Sequence, residues 1–264
     1  MKNFLQMELI ERRDLTEDLA VFRFRPEQPV EFIPGQYMTI GVEKEGKKIL
    51  RPYSILSSPL EPEIELLIEL VPQGQLTPFL WTLKPGDRLW YRPRILGKLV
   101  LQEDSNRDHH LMVATVTGVA PYLSIIRTFH YRLKRGDSMT PPRICILHGA
   151  SYARELGFLA EELQGYDQQY DWFTYIPTIS RPSENPDWQG EIGRVEDVLR
   201  KWADTLGFTA DKSIAYACGH PGMIQNVKEI LQRARFERQQ IKEERYFTIP
   251  RAKGGSDAGA AGGA

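Results

Sequence analysis

Four consecutive residues, Arg51, Pro52, Tyr53 and Ser54, place a cation, an aromatic ring and a hydroxyl at the end of a strand-like segment. A turn uses proline or serine for its backbone angles, but it does not need a guanidinium and a phenol two residues apart. In extended chain Arg51 and Tyr53 share one face, while Pro52 and Ser54 share the other. Because guanidinium groups bind phosphate oxygens and aromatic faces stack on flat heterocycles, the segment is suited to a ligand that carries both.

Length and charge limit the classes of protein to consider. A chain of 264 residues fits two domains of middling size with a crevice between them. Its net charge of -1 argues against a sequence-independent nucleic-acid binder, which needs a basic surface. The two cysteines, Cys145 and Cys218, form no CxxC motif, so a disulfide scaffold, a zinc site or an iron–sulfur cluster is poorly supported. Redox chemistry in this chain would therefore need an organic cofactor.

The N-terminal residues MKNFLQMELIERRD carry charges too early for a signal peptide. No apolar run reaches the length that spans a membrane. We therefore expect a soluble, cytoplasmic protein with no membrane partner.

The hydrophobic pattern changes near the middle of the chain. From Met7 to about Val100 short β-type segments such as LAVFRFRP and IELLIELV are separated by turn signals, which predicts an antiparallel barrel. From His109 onward, strand-like runs such as RICILHG alternate with helical stretches such as ARELGFLAEELQ, which predicts a parallel sheet covered by helices. We expect domains at 1–103 and 104–247 and a disordered tail at 248–264. Ligands of such a parallel sheet bind at the carboxyl ends of its strands.

Five motifs occur in order across both predicted domains: RPYS, GQLTP, TGVAPYLSIIR, ACGHPGM and EERYF. In order and spacing they resemble the bacterial ferredoxin (flavodoxin)–NADP reductases, over residues 5 to 247. The resemblance implies an FAD-binding β-barrel followed by a Rossmann-like NADP-binding α/β domain. It also implies hydride transfer between nicotinamide C4 and flavin N5.

The resemblance implies two segments that bind FAD. Along the first, Arg51 would neutralise the pyrophosphate, Tyr53 would pack on the isoalloxazine and Ser54 would lie near N5, with Pro52 between them. In the second, Gly74 would let the backbone approach, and the amides of Leu76 and Thr77 with the Thr77 hydroxyl would reach phosphate. The bland alternatives are a strand-end turn and a surface loop.

For the nucleotide, the resemblance places Thr117 near the nicotinamide, at a strand–helix junction whose free amides suit a pyrophosphate. Val116 departs from the glycine frequent at this point, and valine does not readily adopt positive φ. Ser151, Arg181 and Arg194 are the candidates for a 2'-phosphate site, with Arg154 three residues beyond Ser151. NADPH is therefore favoured, and dual specificity stays open. The alternative that Arg181 and Arg194 are only solvated surface charges also stays open.

Two further predictions concern catalysis. Cys218 would lie beside the reacting carbon, although a buried apolar thiol is the commoner role. Phe247, with Tyr246 before it, would cover the flavin and move to admit nicotinamide, unless these rings only close the core.

The implied partner is a separate acidic ferredoxin or flavodoxin, for which the candidate docking charges are Arg92, Arg94 and Lys98 or the basic run YRLKRGD. Two alternatives stay open. One is the reductase component of an oxygenase, or a free-flavin or quinone reductase. The other is a non-enzymatic nucleotide-sensing module, suggested by Val116 and Ser151.

Overall fold

The computed structural model describes residues 4–102 and 106–245, which form two six-stranded sheets. The predicted boundary between residues 103 and 104 lies outside the described residues, as do Tyr246, Phe247 and the predicted tail at 248–264.

The first sheet is antiparallel, with the strand order β4-β3-β6-β1-β2-β5. Its strands are β1 (Leu5–Asp14), β2 (Leu19–Pro26), β3 (Tyr37–Lys44), β4 (Lys47–Ser54), β5 (Ile64–Glu69) and β6 (Arg88–Tyr91). A bridge between Ile55 and Leu66 joins the chain just after β4 to β5, so the two edges of the sheet meet. The predicted antiparallel barrel is confirmed, and a short helix α1 (Thr77–Leu80) precedes β6.

The second sheet is parallel, with the order β10-β9-β8-β7-β11-β12. Its strands are β7 (His109–Thr115), β8 (Arg143–Ala150), β9 (Phe173–Ile179), β10 (Glu191–Ile192), β11 (Ser213–Gly219) and β12 (Ile241–Arg245). The helices are α2 (Ala120–Lys134), α3 (Ala153–Gln169), α4 (Val195–Leu206) and α5 (Pro221–Arg233). The predicted alternation of strands and helices is confirmed. The short edge strands β10 and β12 were not predicted.

Strand β2 shows how the two sheets pack together. Ala20, Phe22 and Phe24 point into the barrel core, whereas Leu19 and Val21 point outward. The outward residues are fully buried because they pack in one cluster with side chains of α2 such as Ile126. An apolar interface therefore holds the barrel against the parallel sheet. Among the helices of the described residues, none is long and apolar enough to cross a membrane.

Candidate functional site

A cleft of about 880 Å³ lies where the barrel meets the carboxyl edge of the parallel sheet. This volume is within the usual range of small-molecule sites. Residues from both sheets line it, and they include eleven of the predicted cofactor-binding residues: Arg51, Pro52, Tyr53, Ser54, Gly74, Leu76, Thr77, Thr117, Ser151, Arg181 and Arg194. The tertiary structure thus brings together segments that are up to 143 residues apart, from Arg51 to Arg194.

The carboxyl end of β4 forms the barrel side of the cleft. The Arg51 side chain is exposed, and its Nη1 donates to the carbonyl of Leu50 at 2.8 Å. Burial raises the pKa of the Tyr53 phenol to about 12, so the ring is neutral at physiological pH. Ser54 is buried and donates from Oγ to Oε1 of Glu244 at 3.2 Å. This end of the strand presents a cation, a neutral aromatic ring and a hydroxyl to one cavity.

The loop from Val71 to Thr77 is closed by a side chain that the sequence analysis assigned to phosphate binding, Thr77. The Thr77 hydroxyl accepts from the Val71 N–H at 2.9 Å and donates to the Val71 carbonyl at 3.1 Å. It therefore closes the loop on itself, and its contact with a phosphate stays a prediction. Gly74 is needed for this closure, because a Cβ there would lie 2.9 Å from the Val71 carbonyl oxygen. The Leu76 side chain packs in the barrel core.

On the other side of the cleft, a 3₁₀ turn at Val116–Val119 connects β7 to α2. Val116 adopts φ 42°, a left-handed conformation that valine does not readily adopt. Thr117 lies within this turn and lines the cleft. The turn packs against the end of β11, where a Cβ on Gly118 would lie 2.2 Å from the Cys218 carbonyl oxygen.

Cys218 differs from the other predicted site residues. Its side chain is fully buried in a hydrophobic cluster, and it is not among the described residues that line the cleft. The next residue, Gly219, does line the cleft and adopts φ 126°. The position of Cys218 beside a reacting carbon therefore stays a prediction. His220 caps α5, since its Nδ1 accepts from the Gly222 N–H at 3.0 Å.

The far end of the cleft is basic. Arg181 and Arg194 are both exposed and line the cleft with Ser151. The Arg181 guanidinium donates to the Tyr152 hydroxyl and lies 5.1 Å from the centre of that ring. Arg154 stacks on the same ring at 4.1 Å but is not among the described residues that line the cleft.

Glu244 bonds the cleft residue Ser54 without being among the described residues that line the cleft, and the sequence did not predict this contact, although the motif EERYF contains Glu244. Glu244 lies on β12, where it pairs in register with Cys218 of β11, and its carboxylate accepts from Ser54. Burial raises the pKa of this carboxyl to about 7, although hydrogen bonds from Ser54 and the Lys98 backbone act in the opposite direction. A predicted strand β12 would have pointed to Glu244, because a strand that pairs with β11 places its residues at the same edge of the sheet.

The raised pKa of Glu244 predicts a pH-dependent stability. The folded state retains the carboxyl proton up to about pH 7, whereas the unfolded state loses it near pH 4.3. Its contribution to the free energy of unfolding is therefore fully present below pH 4.3 and is lost as the pH rises through 7. We expect a loss of about 2 kcal/mol over this interval, allowing for partial exposure of the side chain.

The Glu244→Gln variant should lack this fall in the free energy of unfolding, as measured by urea unfolding between pH 4.5 and 7.5. The control Glu229→Gln alters an exposed carboxylate on α5 and should keep the wild-type slope. Identical slopes for Glu244→Gln and the wild type would contradict the prediction.

Comparison with known families identifies the two halves of this arrangement. Residues 6–93 match the family described as oxidoreductase FAD-binding domain, and residues 112–229 match the oxidoreductase NAD-binding domain. These matches confirm the predicted pair of cofactor-binding domains.

Similar proteins are found among both curated sequences and solved structures. The chain is 30% identical over 214 residues to a flavodoxin/ferredoxin–NADP reductase of Escherichia coli, covering 79% of this chain and 83% of the relative. It is 28% identical over 249 residues to the reductase component of a Pseudomonas phenol 2-monooxygenase, covering 94% and 67%. A ferredoxin NADP+ reductase from Neisseria gonorrhoeae, solved with bound FAD and NADP, superposes with a TM-score of 0.80 at 21% identity, covering 93% and 99%.

Proposed function

Because the chain belongs to the ferredoxin–NADP reductase family of oxidoreductases, we propose that it transfers electrons between NADPH and a ferredoxin or flavodoxin. The proposal assigns FAD to the barrel domain, residues 1–103, and the nucleotide to residues 104–247. When bound, FAD supplies the exchange between a two-electron hydride and single electrons. The observation that carries the proposal is the single cleft lined by both the RPYS segment and the Val116–Val119 turn.

The residues on the barrel side fit FAD. A guanidinium carries five N–H donors, and the exposed Arg51 group at the cleft uses one nitrogen to bond the Leu50 carbonyl, so it can also bind a pyrophosphate. The neutral Tyr53 ring offers a flat apolar face for the isoalloxazine. Ser54 brings a hydroxyl to the same wall, where we place the flavin N5 edge.

The basic end of the cleft supports NADPH as the donor. A 2'-phosphate carries two negative charges that NADH lacks, and guanidinium groups bind such oxyanions through paired hydrogen bonds. Arg181 and Arg194 with the Ser151 hydroxyl provide this chemistry at one wall. We propose these three residues as the 2'-phosphate site. For Cys218 and Phe247 the proposed roles remain those of the sequence analysis: a thiol beside the nicotinamide and a ring covering the flavin.

For the electron carrier we propose docking at Arg92, Arg94 and Lys98. These three side chains are exposed, and the backbone N–H of Lys98 bonds Glu244, which in turn contacts Ser54. The competing basic run YRLKRGD is a weaker candidate, because Arg132 and Arg135 both form ion pairs with Asp137. An acidic carrier on the first patch would lie near the proposed flavin edge.

An anaerobic titration tests the proposed function. We expect NADPH to bleach the flavin absorbance of the purified protein at a concentration at least about tenfold below that of NADH, a difference set by the 2'-phosphate contacts. Bound flavin that neither nucleotide reduces would overturn the proposal and favour the nucleotide-sensing alternative.

A second candidate function is the reductase component of an oxygenase, which the phenol 2-monooxygenase relative favours. Reduction of cytochrome c distinguishes the two. A ferredoxin–NADP reductase should need added ferredoxin for rapid cytochrome c reduction. If neither ferredoxin nor flavodoxin increases the rate, the oxygenase reductase is favoured.

A further inference from the structure

Val116 starts the nucleotide-side turn in a conformation that needs an explanation. Its φ of 42° is left-handed, and a β-branched residue pays a steric cost there that glycine does not. Such a conformation persists only where the surrounding structure over-determines it. Some contact of the Val116 peptide must therefore hold the turn in place.

A buried histidine on the neighbouring strand makes that contact. His148 lies on β8, is 1% exposed, and has its Nε2 2.9 Å from the Val116 carbonyl oxygen. Its Nδ1 lies 3.0 Å from the hydroxyl of Tyr175 on β9. Because a carbonyl only accepts, Nε2 carries the proton, and Nδ1 therefore accepts from the Tyr175 hydroxyl. Burial lowers the pKa of His148 to about 4, so the ring is neutral at physiological pH.

The opposite side of the turn is fixed by the end of β11. Gly118 packs directly on the Cys218 carbonyl, and the Thr115 hydroxyl accepts from the His220 N–H at 2.9 Å. The turn is thus held between β11 on one side and His148 on the other. Without the His148 bond, Val116 would be free to relax from its left-handed conformation, and Thr117 would move with it.

We propose that His148 is a positioning residue for the nicotinamide nucleotide: it holds the Val116 carbonyl and so sets the turn that presents Thr117 to the cleft. This inference rests on the proposed function of the cleft as the nucleotide site. His148 itself is buried and is not among the described residues that line the cleft, whose lining on this strand begins at Gly149, so we expect it to make no contact with the nucleotide.

The test compares two replacements of His148 in the FAD-loaded protein. His148→Leu removes the donor, whereas His148→Gln places an amide N–H close to the position of Nε2. NADP+ binding is followed through the change it causes in flavin absorbance. We expect about tenfold weaker NADP+ binding for His148→Leu and recovery to within about threefold of wild type for His148→Gln, with FAD content unchanged in both.

The same His148 replacement is then made in a Val116→Gly protein, because glycine adopts the left-handed conformation without steric cost. In that background, His148→Leu should weaken NADP+ binding by less than about threefold. If His148→Leu does not fold, Tyr175→Phe replaces it, since it removes only the hydroxyl that sets the imidazole tautomer. Tyr175→Phe should weaken NADP+ binding by about threefold with Val116 present and leave it unchanged in the Val116→Gly background.

Equal losses with valine and with glycine at position 116 would overturn the inference alone, because His148 would then act through packing and not through the turn. A wild-type protein that bound no nicotinamide nucleotide would overturn it together with the proposed function. Wild-type binding with no flavin reduction would count against the proposed function only, and the comparison of the His148 variants would still decide the inference.

Discussion

Replacing Arg127 with methionine should lower the free energy of unfolding by about 3–5 kcal/mol, because it takes the most buried cation away from the buried Glu65 carboxylate and from Glu162. Arg127 lies on α2 at the interface between the sheets, and its side chain is only 7% exposed. Its Nε and Nη2 nitrogens donate to the two carboxylate oxygens of Glu162 on α3, at 2.7 and 2.8 Å. Nη1 donates to Glu65 on the barrel strand β5 at 2.7 Å.

The pKa shifts show which of these charges stabilise one another. Burial alone would lower the pKa of Arg127, but the hydrogen bonds and charges of Glu162, Glu65 and Glu61 raise it above the usual value. Burial would likewise raise the pKa of Glu65, yet Arg127 and Arg23 lower it overall. Loss of Arg127 would therefore remove the main compensation for Glu65, whose side chain is 3% exposed.

Arg23→Met is the matched control. Arg23 also pairs with Glu65, at 2.8 Å, but its side chain is 37% exposed and it belongs to the barrel alone. We expect this variant to lose no more than about 1 kcal/mol, because the partly exposed Arg23 contributes less than a buried cation and Arg127 still pairs with Glu65 at 2.7 Å. Denaturant unfolding of the FAD-loaded proteins measures both changes. A loss below about 1 kcal/mol for Arg127→Met would show that the interface is held by its apolar contacts and not by this ion pair.

Arg181→Ala should raise the KM for NADPH by about tenfold or more and change the KM for NADH by less than about twofold. The reason is that the proposed contact of Arg181 is with the 2'-phosphate, which only NADPH carries. The Tyr152 ring and hydroxyl hold the Arg181 side chain at the cleft. Arg181 therefore loses less conformational entropy when the nucleotide binds.

Arg154→Ala is the control for this prediction. Arg154 lies over the same tyrosine ring, at 4.1 Å from its centre, but is not among the described residues that line the cleft. Steady-state kinetics with both nucleotides should therefore show little change in either KM. Equal increases for NADPH and NADH in Arg181→Ala would contradict the assignment, and so would an Arg154→Ala effect as large as that of Arg181→Ala.

Much of the architecture could be predicted because it depends on local periodicity. The alternation of Phe22 and Phe24 with Arg23 and Arg25 predicts a strand with one buried face, and the structure places both rings in the barrel core. The longer apolar stripe of α2 likewise predicts a helix. Since parallel strands present their ends at one edge, the sequence also predicted which loops would meet. Thr117, Ser151 and Arg181 accordingly line one cleft.

The contacts that define the site in detail depend on tertiary packing. Ser54 and Glu244 are 190 positions apart, and the unpredicted strand β12 brings them to hydrogen-bonding distance. The Thr77 hydroxyl closes its own loop because Val71 returns to it. The left-handed Val116 is held by His148, from a strand two elements later. Periodicity specifies which face of an element is buried, but the residues that contact that face are determined only when the elements pack. The pKa of Glu244 and the burial of Cys218 therefore depend on the tertiary structure.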